Sequence, residues 1–253
     1  MPQPSRPLLA YDDIGDPAAP AVLLIHGFAG AARAHFAPLI AALEPDYRLI
    51  APDLSGQGRS AQIARVVDTR LHQHDADDLM ALLGHLHIDR VHLIGYSDGG
   101  EVAVILAGRL GARALSLTAW GVSGRVPPEA MVAIFADPPA RIRNWPAMQA
   151  EMDALHGPGA TLPMFTAWAA AMERLRAEGG VINDAEVAQI TYPTLILAGD
   201  HDPFNPLAAT EALAARIPGA RLMTFSGAGH DLLAERQAQV IALVRRMLRG
   251  GPA

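Results

Sequence analysis

Short apolar runs alternate with longer segments of helical periodicity along most of the chain. The short runs predict strands and the longer segments predict helices. Strands are predicted over residues 8–11, 21–25, 47–51, 91–94, 114–119, 193–198 and 221–225. Helices are predicted over residues 31–43, 72–86, 101–110, 207–216 and 235–248. This alternation is typical of an α/β fold with a mostly parallel, doubly wound sheet, in which sites form at the carboxyl ends of the strands.

The alternation stops after the apolar run that ends at Trp120. Residues 125–190 show helical spacing only, which predicts helices over 129–135, 145–155 and 161–176. Because this segment lies between two predicted strands, we expect it to form a helical cap over the site. The predicted organisation is therefore a core formed by residues 1–124 and 191–253, with a cap formed by residues 125–190.

Ser97 lies where a predicted strand turns into a helix within about two residues, and glycines lie two positions on either side of it, at Gly95 and Gly99. Such a turn forces its central residue into strained backbone angles, and side chains at the flanking positions would collide with neighbouring backbone. The helix that follows also offers free N–H groups to a developing negative charge. We interpret Ser97 as a nucleophile. The alternative is a glycine-rich turn with an idle serine.

A second strand end could complete an anion site beside this serine. The strand over 21–25 is followed by His26-Gly27-Phe28-Ala29-Gly30, and the backbone N–H of Phe28 could face the turn at Ser97. The N–H of Asp98 would supply the other donor. Two donors aimed at one oxygen form an oxyanion hole, and each contributes about 3–4 kcal/mol to transition-state stabilisation.

Candidate acid and base residues follow the last two strands. Gly199-Asp200-His201-Asp202 follows one strand and Gly229-His230 follows the next. The order Ser, Asp, His along the chain is the one expected of a triad on this type of sheet, with His230 as the base. Asp202 is favoured as the acid. Asp200 is the alternative, although its position directly after a strand suits a structural loop residue.

The segment 72–78, His-Gln-His-Asp-Ala-Asp-Asp, contains metal-ligating residue types. His72 and His74 are two residues apart and so face different sides of a helix. Acidic residues in a first helical turn also offset the helix dipole. We therefore predict no metal site, and no cofactor.

Composition excludes several other chemistries. The 253 residues suffice for one large α/β domain, and the net charge of −6 gives no indication of a nucleic-acid partner. The chain has no lysine, which excludes a Schiff-base lysine, and no cysteine, which excludes disulfides and thiolate nucleophiles. No run of about 18 apolar residues is present, and no apolar stretch precedes a cleavage site. We expect a cytoplasmic protein without a membrane partner.

With these motifs, the sequence resembles the α/β-hydrolase superfamily over nearly the whole chain. Within that superfamily it resembles the valacyclovir hydrolase (biphenyl hydrolase-like) group. The matching stretches are 95–100 (Gly-Tyr-Ser-Asp-Gly-Gly), 119–121 (Ala-Trp-Gly), the cap residues Trp145, 154–157 and Trp168, 199–203 and 229–231. The resemblance implies an α/β-hydrolase fold with the triad Ser97, Asp202 and His230. It also implies that Asp98 recognises the ammonium group of an α-amino-acid ester. Trp120 and Trp168 are expected to contact the same substrate.

There is also a physical reason to expect a special environment for Asp98. Its N–H should donate to the oxyanion while its carboxylate would repel that charge. The carboxylate must therefore point away, be hydrogen-bonded, or meet a cation such as a substrate ammonium. The expected function is cleavage of small carboxylic esters through an acyl-enzyme. A carbon–carbon bond hydrolase or acyltransferase with the same triad, and a ligand-sensing protein on this scaffold, are the alternatives.

Overall fold

The computed structural model describes residues 8–126, 137, 140 and 144–250. Within them, seven strands form one sheet in the order β1-β3-β2-β4-β5-β6-β7. Numbered along the chain, they are β1 (Tyr11–Ile14), β2 (Ala21–Ile25), β3 (Arg48–Pro52), β4 (Val91–Tyr96), β5 (Ala114–Trp120), β6 (Thr194–Gly199) and β7 (Arg221–Phe225). Strand β1 pairs antiparallel with β3, and every other pair is parallel.

Helices connect most of these strands and cover both faces of the sheet. Within the described ranges they are α1 (Ala32–Leu43), α2 (Leu71–His85), α3 (Asp98–Leu110), α4 (Pro146–His156), α5 (Thr161–Ala177), α6 (Asp184–Val187), α7 (Leu207–Arg216), α8 (Leu232–Glu235) and α9 (Gln237–Leu248). Short 3₁₀ turns lie at Gly58–Ser60 and Gly111–Arg113. The predicted fold class is confirmed: the sheet is mostly parallel and doubly wound.

The core consists of two apolar clusters, one on each face of the sheet. Neighbouring residues of a strand point to opposite faces. Accordingly, Leu93 of β4 packs into the cluster that contains α2 and α3, while Ile94 packs into the cluster that contains α1 and α9. The central strands are buried on both faces, which explains their continuous apolar runs.

The ends of the chain differ from the prediction. The first strand begins at Tyr11, not at residue 8, because the N–H of Ala10 donates to Ser60 Oγ (2.8 Å) and its carbonyl accepts from Asp53. The apolar residue Leu9 is buried all the same. At the other end the predicted helix 235–248 is divided into α8 and α9, and the backbone departs from helical angles at Arg236.

Helices α4, α5 and α6 lie between β5 and β6, in the predicted cap segment. The predicted helix 129–135 lies outside the described residues, and the exact domain limits stay a prediction. His156, at the end of α4, joins this segment to the core. Its Nδ1 accepts from the N–H of Gly58 (2.8 Å), and its Nε2 donates to the carbonyl of Ala29 (3.0 Å). No helix among the described residues is long and apolar enough to cross a membrane.

Candidate active site

Ser97 connects the end of β4 to the start of α3, in a left-handed backbone conformation with φ 56° and ψ −127°. A non-glycine residue adopts such angles only when its surroundings impose them. A Cβ at Gly99 would collide with the carbonyl oxygens of Ile25 and His26, and a Cβ at Gly95 would collide with the carbonyl of Gly99. Glycine is therefore required at both flanks, as predicted from the sequence.

The structure brings Ser97, His230 and Asp202 together. The Ser97 hydroxyl donates to His230 Nε2 at 2.9 Å, and His230 Nδ1 donates to Asp202 Oδ2 at 2.8 Å. The Asp202 carboxylate is a hydrogen-bond acceptor, so the proton on this side of the ring lies on Nδ1 and leaves Nε2 free to accept. This arrangement allows His230 to remove the proton of the Ser97 hydroxyl.

The two candidate acids occupy different positions. Asp202 is buried, and its second oxygen, Oδ1, accepts from the backbone N–H groups of Phe204 (2.8 Å) and Asn205 (3.0 Å). These bonds fix the carboxylate toward His230. Asp200 instead accepts from the N–H of Gly227 at 2.7 Å, and so holds the loop after β7 against the loop after β6. The structure thus places Asp202, and not Asp200, against the imidazole.

The two predicted oxyanion donors lie in the same cavity as Ser97. The loop that carries Phe28 approaches the serine closely, since a Cβ at Gly27 would lie 3.0 Å from the Ser97 Cβ. Among the described residues, neither the N–H of Phe28 nor that of Asp98 has an acceptor. The assignment of these two N–H groups to an oxyanion hole stays a prediction.

The side chain of Asp98 is hydrogen-bonded and partnered by a second titratable group. Its Oδ2 accepts from the indole N–H of Trp168 at 2.8 Å, and its Oδ1 lies 3.5 Å from His72 Nε2. Burial alone would raise the pKa of Asp98. The proximity and charge of His72, the charge of Arg65 and the hydrogen bond from Trp168 outweigh burial, so the pKa of Asp98 is lowered and the carboxyl is ionised.

A cavity of about 260 Å³ adjoins Ser97. Its walls are mainly apolar and come from the loop after β2, the cap helices and the loop after β6. Phe28 stacks on Trp168, with ring centroids 4.9 Å apart, and meets Phe165 edge to face. Polar lining side chains include Asp98, His72 and Glu101. Further lining residues are Met148, Met152, Met172, Ile182, Phe204 and Arg125. The site therefore combines a small apolar chamber with an ionisable patch.

Trp168 lines this cavity as expected, but Trp120 does not. The ring of Trp120 is buried against Phe36 and Tyr96 in the cluster of the opposite face. The reason is strand alternation: Ala119 points toward α3, so its neighbour Trp120 must point away. The prediction that Trp120 contacts substrate is corrected, and Trp120 is a core residue.

The sequence interpretation missed His72 and Glu101. Helix α2 begins at Leu71 and has no acidic residue in its first turn, so the prediction that acidic residues there offset the helix dipole is wrong. Asp75 lies in the second turn, where it pairs with Arg65. His72 is buried on the inner face of α2, at helical spacing from Asp75 and Leu79. That spacing marks it as buried, but it does not say which side chain of α3 it meets.

Glu101 is one turn beyond Asp98 on α3 and is also buried. Its Oε1 accepts from the N–H groups of Ser123 and Gly124 (both 2.8 Å), and its Oε2 accepts from Asn183 at 2.6 Å. Burial raises the pKa of Glu101 to about 7 in spite of these bonds. The carboxyl therefore titrates near neutrality.

Comparison with known proteins identifies relatives over nearly the whole chain. Residues 22–243 match the alpha/beta hydrolase family. Serine hydrolase BPHL of Mus musculus is 26% identical over 230 residues, which cover 88% of this chain and 77% of that protein. Among solved structures, a thermophilic esterase from Thermogutta terrifontis is 26% identical, with a TM-score of 0.73, and the match covers 96% of this chain and 93% of the esterase.

A further solved structure shares the fold. The 2-hydroxy-6-oxo-6-phenylhexa-2,4-dienoate hydrolase of Rhodococcus superposes with a TM-score of 0.77 at 24% identity, over 94% of each chain. At this identity the likeness concerns the architecture and not the chemistry.

Proposed function

This chain belongs to the alpha/beta hydrolase family, and on that premise we propose that it is a serine hydrolase that cleaves small carboxylic esters. The observation that carries the proposal is the continuous pair of hydrogen bonds from Ser97 through His230 to Asp202. A serine hydroxyl is a weak nucleophile, and a base within hydrogen-bond reach activates it. The similarity to BPHL and to a thermophilic esterase supports the same reaction class.

The proposed reaction has two stages. Ser97 Oγ attacks the ester carbonyl while His230 Nε2 takes its proton, and the N–H groups of Phe28 and Asp98 stabilise the resulting oxyanion. The tetrahedral intermediate expels the alcohol, which takes the proton from His230, and an acyl-enzyme remains on Ser97. Water then attacks the acyl group, with His230 as base, and the carboxylic acid leaves as Ser97 regains its proton. Asp202 orients the imidazole throughout.

We further propose that the preferred acyl groups carry a free α-ammonium, and that Asp98 binds it. Asp98 follows the nucleophile directly, lines the cavity and is ionised. Its Oδ1 has no partner closer than His72 at 3.5 Å among the described residues, so it retains capacity to accept from an ammonium. The small volume of the cavity favours small acyl groups.

Active-site labelling tests the reaction class. A fluorophosphonate should label Ser97 stoichiometrically, as intact-protein mass spectrometry can show, and Ser97→Ala should not be labelled. A p-nitrophenyl ester should give a burst equal to the enzyme concentration when deacylation is much slower than acylation. Ser116→Ala, which changes a buried serine away from the cavity, provides a control. Absence of both labelling and turnover would overturn the proposal in favour of a ligand-sensing protein.

Paired substrates test the role of Asp98. The measurement is kcat/KM for an α-amino-acid ester and for the same ester without the amine, on the wild type and on Asp98→Asn. Asparagine keeps the backbone N–H and an acceptor for Trp168, so turnover of the neutral ester should change little. Turnover of the amino ester should fall by roughly 10- to 1,000-fold, the loss expected for a partly desolvated charge pair. Equal wild-type rates on the two esters at all pH values, unchanged in the variant, would refute this preference.

A carbon–carbon bond hydrolase is the second candidate, since the same triad and fold serve that reaction in other proteins. Turnover of a vinylogous 1,5-diketone, with ester turnover lower by several orders of magnitude, would favour it over the esterase. Labelling of Ser97 would be unchanged in that case, so the substrate panel decides between the two.

A further inference from the structure

His72 is a buried imidazole at the wall of the substrate cavity that the proposed reaction leaves unused. It comes from α2, is only 1% exposed and lines the cavity together with Ser97. Its Nε2 lies 3.5 Å from Asp98 Oδ1, at the outer limit of a hydrogen bond. Neither ring nitrogen has a well-formed hydrogen bond within the described part of the chain. A buried polar group without a well-formed hydrogen bond requires an explanation.

The groups around His72 form a compact ionisable cluster. Asp98 and Glu101 face it from α3, and Asp75 lies one turn along on α2. Arg65 pairs with Asp75 and also acts on Asp98. These charges come from three elements packed together, and Arg125 lines the same cavity from the segment after β5.

The acidic neighbours favour a proton on His72. Burial lowers the pKa of His72, but the proximity and charge of Asp98 and the charges of Glu101 and Asp75 outweigh burial and raise it. A protonated His72 then acts as an internal cation for Asp98. A substrate ammonium at Asp98 would compete with that internal cation for one carboxylate.

We propose that His72 determines specificity by setting the charge of the Asp98 subsite: when His72 is protonated it offsets Asp98 and weakens the preference for α-ammonium esters, and when it is neutral the preference is strong. This inference rests on the proposed α-ammonium subsite and adds a control over it. His72 acts through Asp98, so it is a positioning residue. Ammonium binding and the loss of the His72 proton are linked, since each favours the other.

The test is the ratio of kcat/KM for an amino ester to that for its des-amino analogue, measured from pH 6 to pH 8.5 on the wild type, His72→Gln and His74→Gln. His74 lies two residues along α2, contacts Asp68 and does not line the cavity, so it is the matched control. Because every enzyme receives the same substrates at each pH, titration of the substrate amine cancels between wild type and variant.

At pH 6 the ratio in His72→Gln should exceed the wild-type ratio by about tenfold, the effect of removing one neighbouring charge. The two ratios should converge as the pH rises and the wild-type imidazole loses its proton. His74→Gln should follow the wild type throughout. If His72→Gln also follows the wild type at every pH, the role of His72 is refuted.

The design separates this failure from failure of the substrate proposal. If Asp98→Asn abolishes the preference for the amino ester and His72→Gln does not alter it, Asp98 is the subsite and only the His72 inference falls. If neither variant changes the ratio, the α-ammonium subsite itself is refuted.

A spectroscopic measurement covers the case in which His72→Gln does not fold. In Ser97→Ala labelled with ¹³C at histidine, NMR titration should show that a saturating amino ester lowers the pH midpoint of the His72 imidazole. Asp98→Asn should abolish that response. The des-amino ester should not produce it. A titration midpoint that is unchanged by the amino ester would overturn the proposal.

Discussion

The indole of Trp168 donates a hydrogen bond to the carboxylate of Asp98 at 2.8 Å, which joins the cap helix α5 to the residue that follows the nucleophile. The same indole stacks on Phe28, the other predicted oxyanion residue. One cap side chain thus contacts both residues whose N–H groups are proposed to hold the oxyanion. The position of the cap and the geometry of the site are therefore coupled through Trp168.

We predict that Trp168→Phe lowers the free energy of unfolding by about 1–3 kcal/mol more than Trp120→Phe does. Both changes remove the same ring atoms from a buried position, but only the first removes a hydrogen-bonded donor, the one that binds Asp98 Oδ2. The indole N–H of Trp120 has no acceptor among the described residues, so its loss leaves nothing unpaired. Urea denaturation of both variants provides the measurement, and equal losses would contradict the prediction.

The parts of the site that the sequence predicted are those that depend on local chemistry. The turn at Ser97 needs glycine at Gly95 and Gly99 for reasons that involve only adjacent backbone. The sequence favours Asp202 over Asp200 because a residue directly after a strand tends to stabilise the loop. The hydrogen bond that Asp200 accepts from the N–H of Gly227 joins two loops in this way.

The parts that it did not predict depend on how separate elements meet. The sequence indicates that His72 lies on a helix, but its position opposite Asp98 follows from the packing of α2 against α3. The prediction for Trp120 is wrong because a strand that ends at a site still alternates its side chains between two faces. Such contacts are set by tertiary packing, which spacing within one element does not encode.

The choice of acid residue leads to a second prediction. Asp202→Asn should lower kcat by about 10⁴-fold, because an amide that donates toward Nδ1 favours the wrong tautomer of His230. Asp200→Asn should lower kcat by less than tenfold, since it affects only the bond to Gly227. Steady-state kinetics at saturating p-nitrophenyl ester measure both. A larger loss in Asp200→Asn would exchange their roles.

The third prediction concerns metals. The reaction proposed for Ser97 needs a proton shuttle and an oxyanion hole only, so activity should survive exhaustive dialysis against EDTA. Within the described ranges no group of three or more acidic or histidine side chains is arranged to hold a metal ion. The histidines of the segment 72–78 face different partners, with His72 against Asp98 and His74 against Asp68. Loss of activity on chelation, restored by a divalent ion, would contradict the prediction.

The last prediction concerns acid stability and rests on His26. This residue is fully buried after β2, its Nε2 accepts from the N–H of Leu54 (2.9 Å), and its Nδ1 therefore carries the proton and donates to the carbonyl of Gly27 (2.8 Å). A second proton would break the bond from Leu54. Burial, followed by the charge of His35, lowers the pKa of His26 to about 3 in the folded chain.

An unfolded histidine titrates near pH 6.5. Below that pH the unfolded state binds a proton on His26, and the folded state does not. Stability from His26 is thus present above pH 6.5 and is lost as the pH falls toward 3. Between pH 7.5 and pH 5 the contribution of His26 to the free energy of unfolding falls by about 2 kcal/mol. Urea denaturation measures the free energy of unfolding at the two pH values. Between pH 7.5 and pH 5 this free energy should fall by about 2 kcal/mol less in His26→Gln than in the wild type, whatever the stability of the variant at pH 7.5. His85→Gln changes an exposed histidine and should keep the wild-type dependence. A His26→Gln variant that loses as much as the wild type would show that the folded state accepts the proton, and would overturn the assignment of a neutral His26.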